Sequence, residues 1–207
     1  MSNVVWISDA MADSELILFV QSDVAQDNMD RLIGGVRLLK KGMPVSEDAC
    51  PKRIWGDEDS DTFDVLPDLF HSEGHYIVSE RAANILRQFD LGGGALYPVT
   101  EGIYQKDNRT RIPGEYFCWI FGNVKKAFLE EHSPKAPALV NDERDWCGMP
   151  VLMQDDDIAV SASALSGPDI WIDPLLFKSI FLSHRAGQAM ADAGLAKAFR
   201  LKKCRVI

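Results

Sequence analysis

One pattern occurs twice in this 207-residue chain at a constant separation, and it limits the fold more than any other feature. Tyr76-Ile77-Val78-Ser79-Glu80-Arg81-Ala82 is matched 104 residues later by Ile180-Phe181-Leu182-Ser183-His184-Arg185-Ala186. In the first copy the apolar positions Ala82, Ile85, Leu86 and Phe89 then fall at i, i+3, i+4 and i+7, one face of a helix over Glu80–Phe89. Ser79 suits the N-cap and Glu80 the first turn, where the helix dipole favours an acid. Leu91–Gly94 ends the helix and Ala95–Val99 begins a strand. The second copy runs through His184–Ala193, stops at Gly194 and continues as Phe199–Ile207. A strand, Ser-cap, helix, strand unit used twice, with Tyr116–Phe121 as a buried strand between the copies, predicts an α+β fold. Its sheet is mixed or antiparallel, with helices packed on it.

Further along the chain, Val4–Ser8 and Glu15–Gln21 read as short strands, and Val36–Lys40 as an extended piece after Gly34–Gly35. Asp57–Asp64 has almost nothing to bury and reads as a loop. Ser133–Pro137 and Asp155–Asp157 read as exposed turns. Length favours one domain over 1–207, and residues 60–70 are where a subdivision would fall. The longest apolar runs are too short or too interrupted to cross a bilayer. The acidic N-terminus lacks the order of an export signal, so a cytoplasmic location is expected.

Charge separates the halves. Residues 1–100 hold 17 acids and 8 bases, while residues 101–207 hold 14 of each. A surface with all its excess negative charge in one half repels nucleic acid and anionic membrane, and attracts a basic protein. Four cysteines at 50, 118, 147 and 204 form no C-x-x-C pair, and no histidine stands beside them at a regular ligand spacing. They are expected to be reduced and buried, with no zinc site.

The residues that could carry chemistry each have a plainer reading. Ser79 and Ser183 lie in S-x-R, outside any G-x-S-x-G elbow, and read as helix caps. His71 and His75 form H-x-E-x-H beside Gly74, which opposes the helix that would put both rings on one metal, so solvated or turn histidines are expected. Asp57, Asp59, Asp61 and Asp68 approach a calcium-loop spacing, but Thr62 stands where glycine is needed. Gly92–Gly94 leads out of a helix and reads as a turn, not a phosphate cradle. The basic tail Lys197–Arg205 reads as a strand edge protected by lysines. Trp119, Trp171 and Phe177 read as core. No catalytic residue, cofactor or metal is expected, and the chain reads as a protein that binds another macromolecule.

The motifs Gly42–Val45 (GMPV), Leu66–Asp68 (LPD), Tyr76–Arg81 (YIVSER), Tyr97–Val99 (YPV), Gly114–Phe117 (GEYF), Asp169–Asp173 (DIWID) and Phe181–Ser183 (FLS) follow in an order that resembles immunity protein family eleven of bacterial polymorphic toxin systems. The likeness runs from about residue 38 to the C-terminus. It implies a small cytoplasmic protein without catalytic residues that binds a toxin domain delivered by neighbouring cells and neutralises it by stoichiometric occlusion. The acidic half suits a basic toxin such as a nuclease. Asp57, Glu58, Asp59, Asp61 and Asp64, with Asp155, Asp156 and Asp157, are the candidate contact residues. A small metal-dependent hydrolase using His71 and His75, and a scaffold or oligomer subunit, are the alternatives.

Overall fold

The computed structural model describes residues 4–19, 21–57, 63–139 and 146–207. In chain order the elements are β1 (Val4–Ser8), β2 (Ile17–Phe19), β3 (Gln21–Ser22), α1 (Asp23–Asp27), α2 (Met29–Lys40), β4 (Arg53–Trp55), β5 (Leu69–Ser72), β6 (His75–Ser79), α3 (Glu80–Leu86), β7 (Ala95–Pro98), β8 (Gly102–Tyr104), β9 (Arg111–Ile112), β10 (Tyr116–Ile120), β11 (Ala159–Val160), β12 (Ile170–Trp171), β13 (Ile180–Ser183), α4 (His184–Asp192) and β14 (Leu201–Val206). The fold is α+β. Among the described residues no helix is long and apolar enough to cross a membrane.

Two five-stranded sheets carry the repeat. One has the order β2-β5-β6-β10-β7 and the other β12-β13-β1-β14-β11; a third, β3-β4-β8-β9, completes the chain. Within each large sheet an antiparallel hairpin (β5–β6 or β12–β13) leads through a serine into a helix. The chain then returns as a strand (β7 or β14) on the far side of a central one (β10 or β1). Ser79 Oγ accepts the Ala82 N–H at 3.3 Å and Ser183 Oγ accepts that of Ala186 at the same distance, so both serines are N-caps. Each cap hydroxyl also donates to an aspartate that opens the preceding hairpin, Asp68 at 2.5 Å in the first unit and Asp169 in the second. Arg81 and Arg185 face the same two aspartates, at 3.8 and 3.0 Å. The equivalence therefore reaches back to Pro67-Asp68 and Pro168-Asp169.

The sheets share a core. One apolar cluster joins Trp6, Ile180 and Leu182 of one sheet to Ile77, Trp119 and Phe121 of the other, and the Trp119 and Phe199 rings lie 5.7 Å apart. A second cluster, with Val5, Ile7, Phe128, Trp171 and Phe181, fills the other face of the β1 sheet. All four cysteines are buried and free.

Several sequence expectations are corrected. Val36–Lys40 is the end of α2, not an extended piece: Asn28 caps that helix by accepting the Arg31 N–H at 3.0 Å, and Leu32, Gly35 and Leu39 form its buried face. Gly35 is there for close approach, since a Cβ on it would lie 2.9 Å from the Ala49 Cβ. Glu15–Gln21 is broken into a 3-10 turn and two short strands. The helix expected over Glu80–Phe89 closes at Leu86. The basic tail is no edge, because β14 lies between β11 and β1.

Candidate partner-binding surface

His71 and His75 are neither solvated nor in a turn. They lie on β5 and β6, either side of the two-residue turn Glu73–Gly74, whose φ values of 49° and 88° are both positive, as a tight hairpin of this hand requires. Both histidines are buried. Burial lowers the His71 pKa to about 4, with the Lys178 charge adding to the depression and Asp13 opposing it, so the ring is neutral at physiological pH. The turn is seated against α2, since a Cβ on Gly74 would lie 2.8 Å from Val36 Cγ1.

Beside this hairpin opens a groove of about 470 Å³. Met11, Tyr76 and the His71 ring form its floor, with the His71 and Tyr76 rings edge to face at 4.2 Å. Ile17 and Phe177 stand on its walls, 54% and 37% exposed, and Lys40 and Lys178 stand at its mouth. Phe177 is thus a correction to the sequence reading, which placed it in the core. A second hollow of about 280 Å³ shares Lys40, Phe177 and Lys178 and adds Lys41 and Trp146, whose ring lies 4.6 Å from that of Phe177.

The segment presenting Phe177 is rigidly held. The buried Asp173 carboxylate accepts three backbone N–H groups, from Ala127 at 2.6 Å, Phe128 at 2.7 Å and Leu175 at 3.0 Å. The Phe177 N–H donates to the Cys147 carbonyl at 2.8 Å, and Lys178 is held at a φ of 61°. An aspartate satisfying three amides fixes the loop's path, so the apolar side chain at its tip stays exposed instead of collapsing inward.

The acidic residues singled out in the sequence divide into three groups. Asp57 and Asp64 are exposed. Glu58, Asp59 and Asp61 lie outside the described residues. Asp155–Asp157 is bound to its own fold: Asp155 accepts the Lys203 N–H at 2.8 Å, the Asp156 carbonyl accepts from Arg205 Nε at 3.1 Å, and Asp157 pairs with Lys135 at 2.7 Å. The hydrogen bond from Lys135 holds the Asp157 pKa below its ordinary value. Asp68, the last residue of the calcium-loop spacing, is engaged by Ser79 and Arg81. Further exposed acids of the first half, Asp27, Asp30, Glu47 and Asp48, surround α1 and the start of α2, where Met29 and Ile33 are also exposed.

Two other polar groupings emerge only in three dimensions. Burial lowers the Lys125 pKa to about 8; its Nζ donates to the Pro168 carbonyl at 2.7 Å and lies 3.7 Å from the Trp171 ring centroid. These contacts give the amine a structural role between β12 and the segment before it. Cys50, His75 and Cys118 come together in the interior, although 25 and 43 residues separate them in sequence. No protein-family model matches the chain, and no curated protein matches it.

Proposed function

We propose that this chain is an immunity protein, binding a cognate toxin domain and neutralising it by stoichiometric occlusion. The family likeness supports the reading through its motif order. The observation that carries it is the groove between the β5–β6 turn and the 173–178 loop, where Ile17 and Phe177 are exposed and the loop bearing Phe177 is fixed by the buried Asp173. Apolar side chains fixed at a surface hollow are the anchors on which protein interfaces concentrate their binding energy. The lysines at the mouth fit an apolar segment of the toxin flanked by carboxylates. The acidic half, with Asp57 and Asp64 exposed, steers a toxin that is basic overall.

The test is co-expression with the toxin domain encoded beside the gene. Wild type protects growth and forms a 1:1 complex. Phe177→Asp in the groove weakens the complex roughly 30-fold or more, equivalent to a hot-spot loss of about 2 kcal/mol. Asp57→Ser with Asp64→Ser slows association at low salt and leaves dissociation unchanged. A purified pair that does not associate, or protection retained in full by Phe177→Asp at limiting expression, overturns the reading.

A further inference from the structure

Cys118 sits at the centre of β10 opposite Ile77 of β6, and His75 lies two residues before Ile77, on the same face of that strand. The cysteine and the histidine are therefore diagonal neighbours on one side of the sheet, within side-chain reach of each other. Cys50 reaches the same face from the turn Glu47–Ala49, which the close contact at Gly35 presses against α2. The two sulfurs and one ring nitrogen all lie within 4.8 Å of one another, and the three residues are 2%, 1% and 0% exposed in chain order.

His75 is an anomaly in this position. Among the described residues neither Nδ1 nor Nε2 has a partner at hydrogen-bond geometry, though the ring is almost fully enclosed. Burial lowers its pKa to about 4, with the nearby Ala49 backbone opposing the shift. A neutral imidazole with an unused lone pair facing two thiols is costly as a purely structural arrangement. As a ligand set it is well matched to a metal.

We propose that Cys50, His75 and Cys118 bind a divalent, thiophilic metal ion of the zinc class. Ligands at zinc distances, about 2.3 Å for sulfur and 2.0 Å for nitrogen, stand roughly 3.5–3.8 Å apart around a tetrahedron, so a small contraction closes the site. Charge selects the valence. Two thiolates and a neutral imidazole neutralise a dication, whereas copper(I) would leave one uncompensated negative charge among apolar side chains. Hard cations prefer oxygen and are excluded by the donor set. Binding converts two thiols to thiolates and releases two protons, and it ties the segment after α2 to β6 and β10.

The experiment uses the full chain, purified reduced and stripped with chelator, then titrated with cobalt(II) and with zinc. One equivalent of cobalt is expected to bind with a thiolate-to-metal charge-transfer band, and one equivalent of zinc is expected to abolish it. Affinity rises about 100-fold per pH unit over the range where both thiols are protonated, as release of two protons requires. Cys50→Ser and Cys118→Ser lose the band while Cys204→Ser keeps it, with circular dichroism reporting whether each variant folds. Reconstitution of the stripped wild type decides the matter even where a variant fails to fold. A folded, reduced wild type that takes up no stoichiometric cobalt or zinc overturns the proposal, as does uptake of copper(I) alone or a band that survives in folded Cys50→Ser. These outcomes are independent of toxin binding.

Discussion

His71 makes the stability of this protein depend on pH in a calculable way. Its ring is buried in the floor of the groove with Nε2 unpartnered, and burial lowers the pKa from 6.5 to about 4. As pH falls the unfolded chain takes up the proton first, so stability is complete above pH 6.5, declines between 6.5 and 4, and levels off below 4. At pH 5 the unfolded form of this group is almost fully protonated and the folded form scarcely so, which corresponds to about 2 kcal/mol. That is a sizeable share of the 5–15 kcal/mol typical of a folded domain. His71→Phe keeps the edge-on contact with Tyr76 and removes the titrating group. Urea unfolding of both proteins at pH 7 and pH 5 isolates the contribution: wild type loses about 2 kcal/mol more than His71→Phe. Parallel losses would show that the ring is not held neutral, and the account of the groove floor would be wrong.

Two stability predictions come from elsewhere in the fold. A Cβ on Gly187 of α4 would lie inside van der Waals contact of the buried Trp6 indole and 2.7 Å from the Trp6 Cβ. Gly187→Ala therefore forfeits the roughly 1 kcal/mol of helix propensity it would gain at an open site and destabilises by about 1–3 kcal/mol, read as a lower thermal midpoint. Asp173→Ala strands three amide donors, two of them in the buried segment at Ala127–Phe128, and costs about 3 kcal/mol or more by urea titration.

What the sequence made legible was local. A serine before a helical period is a short-range signal, and both capped helices begin where it lies, α3 with Glu80 in its first turn and α4 stopping just before Gly194. The α2 helix was hidden because Gly34–Gly35 resembles punctuation. Asn28 as a cap, followed by Leu32, Gly35 and Leu39 on one face, was the signal that could have found it. The Glu73–Gly74 turn lacks the Asn-Gly or Asp-Gly pair that marks such hairpins, so two buried strand histidines looked like surface ones. Cys50, His75 and Cys118 could not be joined by spacing at all. Their meeting depends on the β6–β10 register and on a glycine contact beneath α2, both products of the tertiary fold. Asp155–Asp157 forms the expected turn, with Asp155 and Asp156 exposed, but its bonds to β14 and Lys135 could not be read from spacing.

The duplication locates the groove. From the hairpin aspartate to the capping serine the first unit spans 11 residues, Asp68 to Ser79, and the second spans 14, Asp169 to Ser183. The serines and the helix starts keep the 104-residue offset while the two hairpin aspartates stand 101 apart, so three extra residues lie inside the second hairpin. It falls in the stretch between β12 and β13, which contains Asp173, Phe177 and Lys178. The matching stretch of the first unit is the tight turn Glu73–Gly74. The groove is thus walled by the same connection taken from each unit, short in one and long in the other. Two equal hairpins would have left neither an exposed Phe177 nor Lys178 at the mouth. The groove is built at a connection in which two otherwise similar units differ in length, while the caps and the shared core hold the rest of each unit. The partner contact proposed above falls on that connection, where Phe177→Asp tests it.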